Sequence, residues 1–376
     1  MKSHSSLILI ICILLSCKQR PKGDLDQFEI SGKISGIPDS TKIYLTNLDT
    51  DAVFDSTIIE NENFKFKGKL IDPPTQLWLH GNLNKEFFYT NLLIKNESIK
   101  INGDHSDFPN SLKITGSPTQ NQEIELNNLL ASYRNKRDSI FNLVMKAHYA
   151  GDKEKVNTIN KQVSHLDSLT QTIKIDYIKN HPNAHTSVIQ LNYLKNQISK
   201  EKVKKLFLNL DPEIQQGKYG RPVKIFLEEK ILDAGDAYYN FEAYKANNEP
   251  VKLSDLKGKY TLLDFTTAYC GPCIQAVDEL KTLNQHIDSL EIISISGDIN
   301  KEVWLKSLKR DQITWESVWD GKGSKSKTFI KYGASSFPTC VLIDPTGKLM
   351  RKWSGYSEKS LINKLSDLGF KNLNSL

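Results

Sequence analysis

The chain has 376 residues, 39% hydrophobic and 25% charged, with 50 basic and 44 acidic side chains and a formal charge of +6. That composition excludes a disordered chain, and the length exceeds the roughly 250 residues that one core usually supports, so two or three domains are expected. The charges are scattered without a basic block, which argues against nucleic acid as a partner.

At the start, Lys2 precedes the apolar run "LILIICILL", Leu7 to Leu15. A spanning helix needs about 20 apolar residues, so this shorter run reads as the h-region of a secretory signal. It ends in "LLSC", which resembles the lipobox of bacterial lipoproteins. The resemblance implies a signal peptide over residues 1–16, an acylated Cys17 that anchors the chain to a lipid membrane, and a tether over residues 17–26. The other reading is ordinary cleavage nearby with Cys17 incidental. Cys12 falls inside the signal, leaving Cys270, Cys273 and Cys340 for chemistry. A scaffold stapled by disulfides would carry more pairs, so the count points to one working dithiol.

From Phe28 to about Thr115, apolar and polar residues alternate. "FEISGKI" sets Phe28, Ile30 and Ile34 around a glycine, "NFKFKGKL" alternates Phe64 and Phe66 with lysines, and "SIKING" places Ile99 and Ile101 on one face. Period two with short, turn-rich gaps predicts an antiparallel β-sandwich or small barrel over residues 27–117. No catalytic constellation lies within it.

Residues 118–234 follow a different period. In "NQEIELNNLLASYRNKRDSIFNLVMKAHY", Ile124, Leu126, Leu129, Leu130, Tyr133, Ile140, Leu143 and Val144 fall at helical spacing. Further amphipathic stretches run from Val156 to Ile178 and from Thr186 to Leu194. This segment reads as a helical connector packed on one side. His181 and His185 have the spacing of a metal pair, but Pro182 breaks the helix that such a pair needs. They mark a helix boundary with Asn183 or Thr186 near the cap, and no metal site is expected.

From residue 235 to 376, strand and helix alternate. "YTLLDFT", Tyr260 to Thr266, is a buried strand, and a helix follows from Cys273 with Ala276, Val277, Leu280, Leu283 and Ile287 on one face. Then come a strand in "EIISISGD", a helix from Lys301 to Leu308, strands in "FPTCVLID" and "KLMRKW", and a last helix from Ser357 to Leu368. A β-α-β unit followed by β-β-α is the element order of an α/β thioredoxin fold.

The chemistry concentrates in "LLDFTTAYCGPCIQA", Leu262 to Ala276. Cys270 and Cys273 flank Gly271 and Pro272, and the pair admits three readings: half a metal site, a structural disulfide, or a disulfide built to open and close. A closed zinc site takes four ligands, and there is no second C-x-x-C and no histidine pair nearby. A structural disulfide across two residues closes too small a loop to restrain the unfolded chain much. Redox chemistry has the better claim. Cys270 falls between a strand end and a helix start, where unpaired N–H groups and the helix dipole favour a thiolate. Pro272 suits the first helical turn, and Cys273, one turn inside, is positioned to attack a mixed disulfide formed by Cys270.

"YCGPC" after "LLDF", with "SSFPT" further on, is similar to the thioredoxin superfamily. It most resembles the TlpA/ResA-like thiol–disulfide oxidoreductases of bacterial envelopes, over roughly Tyr238 to Leu376. The resemblance implies Cys270 as nucleophile, Cys273 as resolving thiol, and Asp264 as the buried acid that moves the second cysteine's proton. It also implies that Pro338 is a cis-proline presenting the backbone of Phe337 to a substrate chain, beside a surface made by Tyr269, Gly271 and Pro272. A carboxylate in the apolar run "TLLDFT" should have a raised pKa, unless it sits partly exposed at the strand end. Residues 27–117 resemble the β-rich module, of unknown function, that precedes thioredoxin domains in many envelope lipoproteins.

Two features depart from that family. Tyr269 stands where many relatives carry tryptophan, and "FTT" replaces a Phe-Trp-Ala run. Cys340 reads as a buried strand thiol packing like a small hydrophobe, or as a third thiol able to trap Cys270 or a substrate sulfur. A peroxiredoxin-like peroxidase is an alternative, since Thr267 imitates T-x-x-C, but that motif's proline would fall at Leu263. A partner-binding lipoprotein with an ancillary redox domain is another. The Gly-Pro dipeptide resembles reducing thioredoxins, near −270 mV, as opposed to roughly −120 mV for a strong oxidant. The expectation is a lipid-anchored oxidoreductase facing the periplasm of a bacterial envelope. It would reduce oxidised substrate proteins, draw on a membrane electron-donor protein and need no cofactor; a disulfide oxidase or isomerase with the same site is the alternative.

Overall fold

A computed structural model describes residues 26–50, 52–256 and 259–370. The signal segment and Cys17 lie outside the described residues. Eight strands come first: β1 (Phe28–Ser35), β2 (Lys42–Asn47), β3 (Ala52–Ile58), β4 (Asn63–Gly68), β5 (Thr75–Leu83), β6 (Glu86–Ile94), β7 (Ser98–Asp104) and β8 (Lys113–Thr115). They form two sheets, ordered β4-β1-β7-β8 and β3-β2-β5-β6. Phe28, Ile30, Phe64, Phe66, Ile99 and Ile101 of one sheet share a core with Ile43, Leu45, Leu77 and Leu79 of the other. Burial of each such side chain stabilises by about 1.5–3 kcal/mol. Gly32 interrupts the apolar face of β1 for a steric reason: a Cβ there would stand 2.3 Å from the Ile101 carbonyl oxygen and 2.5 Å from the Phe64 ring. One pairing departs from the expected antiparallel sandwich, because β1 and β7 run parallel. A parallel pair needs a long crossover, and the chain between them supplies it by passing through the second sheet.

The connector opens with an antiparallel pair of long helices, α1 (Pro118–Tyr149) and α2 (Lys153–Asn180). The Asp152 side chain caps α2 by accepting from Lys155 N. The helix stops before Pro182, as the sequence requires, and the His181 ring stacks 4.0 Å from the Tyr177 ring. Four shorter helices follow: α3 (His185–Leu194), α4 (Lys200–Asn209), α5 (Pro212–Gln216) and α6 (Arg221–Glu228). Their core takes in Leu93 from β6 on one side and Ile330, beyond the connector, on the other. Polar contacts reinforce the first junction: Tyr219 Oη donates to Asp49 Oδ2 at 2.8 Å and accepts from Gln76 N at 3.1 Å.

The remaining chain builds one seven-stranded sheet with flanking helices. In order these are β9 (Glu242–Tyr244), β10 (Pro250–Lys252), α7 (Leu253–Leu256), β11 (Tyr260–Thr266), α8 (Gly271–His286), β12 (Leu290–Ser296), α9 (Lys301–Asp311), β13 (Glu316–Trp319), α10 (Lys327–Tyr332), β14 (Thr339–Ile343), β15 (Leu349–Ser354) and α11 (Ser360–Asp367). The sheet order is β10-β9-β13-β12-β11-β14-β15. β11, β12 and β13 are parallel, and β14 runs antiparallel to β11. Both faces of the central strands are covered. Leu262, Ile292 and Leu342 pack with Ala276, Leu280 and Leu365 of α8 and α11. Leu263, Phe265, Ile293 and Val341 pack with Phe329 and Tyr332 of α10. This is a thioredoxin fold in which β13 separates the two halves along the chain but lies outside β12 in the sheet, where β11 and β14 join the halves directly.

Candidate active site

Alternation along β11 fixes where Asp264 points. Leu262, two residues earlier, packs against Ala276 and Leu280 of α8, so the carboxylate enters the same layer between sheet and helix and is only 4% exposed. Ser294 Oγ, on β12, donates to Asp264 Oδ2 at 2.9 Å, and Trp315 Nε1 donates to Ser294 Oγ at 2.9 Å, which directs the serine proton toward the acid. Burial pushes the Asp264 carboxyl up to about 6, against the smaller opposing pull of Ser294. The partly exposed strand-end alternative for this residue is therefore ruled out.

Past β11 the chain turns into α8 at Cys270. Cys270 and Cys273 are joined by a disulfide, with Cα atoms 5.1 Å apart. The Cys270 sulfur caps the helix by accepting from Cys273 N at 3.1 Å. No acidic residue stands in the first turn, so nothing there opposes the dipole's preference for a thiolate. Cys270 is half-buried, whereas Cys273 is 5% exposed. Tyr269 is exposed, as are Gly271 and Pro272. Beneath the disulfide lies a cavity of about 30 Å³ bounded by Asp264, Cys273, Ser294 and Asp298 among others. A cavity needs about 10–15 Å³ to admit a water, so this space is large enough for one. The outer sulfur thus meets solvent, and the inner one shares a water-sized space with a carboxylate.

The Phe337–Pro338 peptide bond is cis. Thr339, which opens β14, pairs with Phe265, so Pro338 lies at the same end of the sheet as the turn that carries Cys270. Phe337 packs against Phe329 with ring centroids 5.9 Å apart. Cys340 is directly opposite Asp264 in the ladder and 2% exposed. Burial, and then the neighbouring Asp264 charge, push its thiol well up, and it packs with Leu262 and Ala276 as a small hydrophobe would. Among the described residues, no group of three or more His, Cys, Asp or Glu side chains is arranged to hold a metal.

Sequence reasoning missed a second buried acid. Asp298, just past β12, accepts from Ala268 N through both carboxylate oxygens at 3.1 Å and from Ser296 Oγ at 2.8 Å. Burial raises its pKa, with those hydrogen bonds acting the other way. Arg310, clamped by Asp311, donates from Nη1 to Ala268 O at 2.7 Å. The peptide just ahead of Tyr269 and Cys270 is therefore held on both sides. The only sequence trace was an acid at the end of "EIISISGD", a position that also suits an ordinary turn.

A family model described as "Domain of unknown function (DUF4369)" matches residues 28–123, and one described as "Thioredoxin-like" matches residues 258–349. The chain is similar to the thiol-disulfide oxidoreductase ResA of Bacillus subtilis (strain 168), with 26% identity over 146 residues, covering 38% of this chain and 80% of that protein. It is also similar to probable nucleoredoxin 2 of Oryza sativa subsp. japonica, with 27% identity over 148 residues, covering 38% of this chain and 35% of that protein. Among solved structures, a thiol-disulfide oxidoreductase from Bacteroides fragilis NCTC 9343 covers 35% of this chain and 99% of its own, with 30% identity and a TM-score of 0.32.

Proposed function

We propose that this chain, which belongs with the thioredoxin-like, ResA-type thiol–disulfide oxidoreductases, acts as a reductase of disulfides in other proteins. The observation that carries the reading is the asymmetry of the dithiol: Cys270 half-buried at a helix N-terminus, Cys273 enclosed over a cavity shared with Asp264. In the reduced enzyme the Cys270 thiolate attacks one sulfur of the substrate disulfide. An S–S bond forms between enzyme and substrate, and the other substrate sulfur leaves as a thiolate and takes a proton. Asp264, its pKa near neutrality, accepts the Cys273 proton through the cavity. The Cys273 thiolate then attacks Cys270, releasing the second substrate thiol and closing the Cys270–Cys273 disulfide. Two electrons pass to the substrate, and a donor dithiol must return them.

Tyr269, Gly271, Pro272, Phe337 and Pro338 form the surface on which the substrate chain lies in this reading. Acylated Cys17 anchors the protein to an envelope membrane with its domains in the periplasm, close to a membrane electron donor, and the short tether raises their effective concentration. The domain divisions at residues 117 and 234 belong to the same proposal, with the sandwich and connector ahead of the catalytic domain. The Gly-Pro dipeptide supports the reducing direction over oxidase or isomerase activity.

Changing Cys273→Ser tests the mechanism. The variant should accumulate a mixed disulfide through Cys270 with an oxidised substrate protein, visible on non-reducing gels and released by dithiothreitol. Absence of any Cys270 adduct with disulfide-containing proteins would sink the reading.

A further inference from the structure

Between the connector and the catalytic domain runs an open groove of about 170 Å³, lined among others by Tyr193, Lys195, Phe226, Lys325, Phe329 and Phe337. Lys195, just past α3, is 9% exposed. Its ammonium donates to Asn192 Oδ1 at 2.7 Å and Asn192 O at 3.2 Å, and among the described residues no carboxylate reaches ion-pair distance of it. A buried cation with neutral acceptors alone is a costly arrangement that a bound anion would relieve. The second ammonium of the groove, Lys325, lies 5.6 Å from the centre of the Tyr219 ring and 3.9 Å from Asp49, a carboxylate already held by Lys218 at 2.9 Å and Tyr219 at 2.8 Å. Burial, with the Lys325 charge adding to it, pushes the Lys195 pKa down to about 8, which leaves the amine mostly protonated at pH 7. The lining also carries the aromatic side chains of Phe226 and Phe337. Phe337 is also the residue before Pro338, where the substrate chain lies in the reading above.

We infer that this groove receives an aspartate or glutamate side chain of the substrate protein, a few residues from its disulfide. The carboxylate meets Lys195 and Lys325, and an adjoining apolar residue rests on Phe226 and Phe337. The inference rests on the reductase reading and makes the connector a specificity element instead of a spacer.

The test uses the full chain, with dithiothreitol as electron donor. Disulfide-linked peptides carrying Glu, Gln or Lys near the cysteine are compared with hydroxyethyl disulfide, which is small and neutral. The Glu peptide should exceed the Gln peptide in kcat/KM by about tenfold, the gain from a carboxylate shared by two partly screened ammoniums, and the Lys peptide should be slowest. Lys195→Gln and Lys325→Gln should each bring Glu and Gln within about twofold, with hydroxyethyl disulfide turnover unchanged. Lys325 is 39% exposed in its side chain, so its variant carries the test even where Lys195→Gln fails to fold. Equal Glu and Gln rates in the unmodified protein, or a preference that survives in Lys325→Gln, would overturn the inference and leave the reductase reading intact. Binding of inorganic phosphate by calorimetry with no peptide preference would make the groove a free-anion site and overturn it too. Failure to turn over hydroxyethyl disulfide would instead strike the reductase reading itself.

Discussion

Replacing Asp264 with asparagine should make the protein more stable and slower at the same time. Asp264 is 4% exposed, and burial lifts its pKa from 3.8 to about 6. At about 1.4 kcal/mol per tenfold, that difference means roughly 3 kcal/mol against the folded state once the group is ionised. The folded chain holds this proton more tightly than the unfolded chain does. The penalty is therefore absent below pH 3.8, grows between pH 3.8 and about 6, and is complete above about 6. Asparagine keeps an acceptor for Ser294 and never ionises, so Asp264→Asn should gain up to about 3 kcal/mol at pH 7 and nothing near pH 4. The same change removes the group that takes the Cys273 proton. A positioned base contributes about 10²–10⁴-fold, so resolution of the Cys270 mixed disulfide should slow by about 100-fold at pH 7. The inflection of that rate near pH 6 should vanish with it. Urea unfolding of the oxidised protein at pH 7 and pH 4, with stopped-flow release of a thiol from the mixed disulfide, measures both effects. A variant less stable than the parent at pH 7, or one that resolves within about threefold of the parent's rate, would refute the reasoning.

Cys340→Ala should cost about 1 kcal/mol in urea unfolding through lost packing and leave disulfide turnover unchanged; a tenfold loss of turnover would reinstate the third-thiol reading. Asp298→Ala strands the Ala268 N–H and should cost about 1–3 kcal/mol, with a fall in kcat/KM for protein disulfides as the segment before Cys270 loosens. Asp298→Asn, which keeps an acceptor, should recover most of both, and equal damage from the two variants would show that hydrogen bonding to Ala268 is not the role.

The catalytic strand, the dithiol and the buried acid were legible because each is local. "YTLLDFT" is apolar on both sides of Asp264, and β11 spans Tyr260–Thr266 as the run predicts. The helix starts at Gly271, two residues ahead of the predicted Cys273, because the Cys270 sulfur takes the capping position. Alternation likewise placed Phe28, Ile30, Phe64 and Phe66 in the sandwich core. What escaped was long-range. The parallel pairing of β1 with β7 leaves no mark on either strand's own pattern. Asp298 and Arg310 act on Ala268 from 30 and 42 positions away, and neither carries a local signature. Strands β9, β10 and β13 have three or four residues each, too few for a period to register. Lys195 is one of 50 basic residues, and only the groove it lines together with residues of the catalytic domain distinguishes it.

The central claim is that Cys270 and Cys273 form a reducing couple, and its most direct test is the reduction potential of that pair. The protein from Lys18 onward would be equilibrated against glutathione and dithiothreitol buffers, with a Cys340→Ser sample in parallel. A two-electron couple near or below about −250 mV, unchanged by that substitution, is the expected result. A potential above about −180 mV would make the protein an oxidase or isomerase, and the absence of a two-electron couple would contradict the oxidoreductase account altogether.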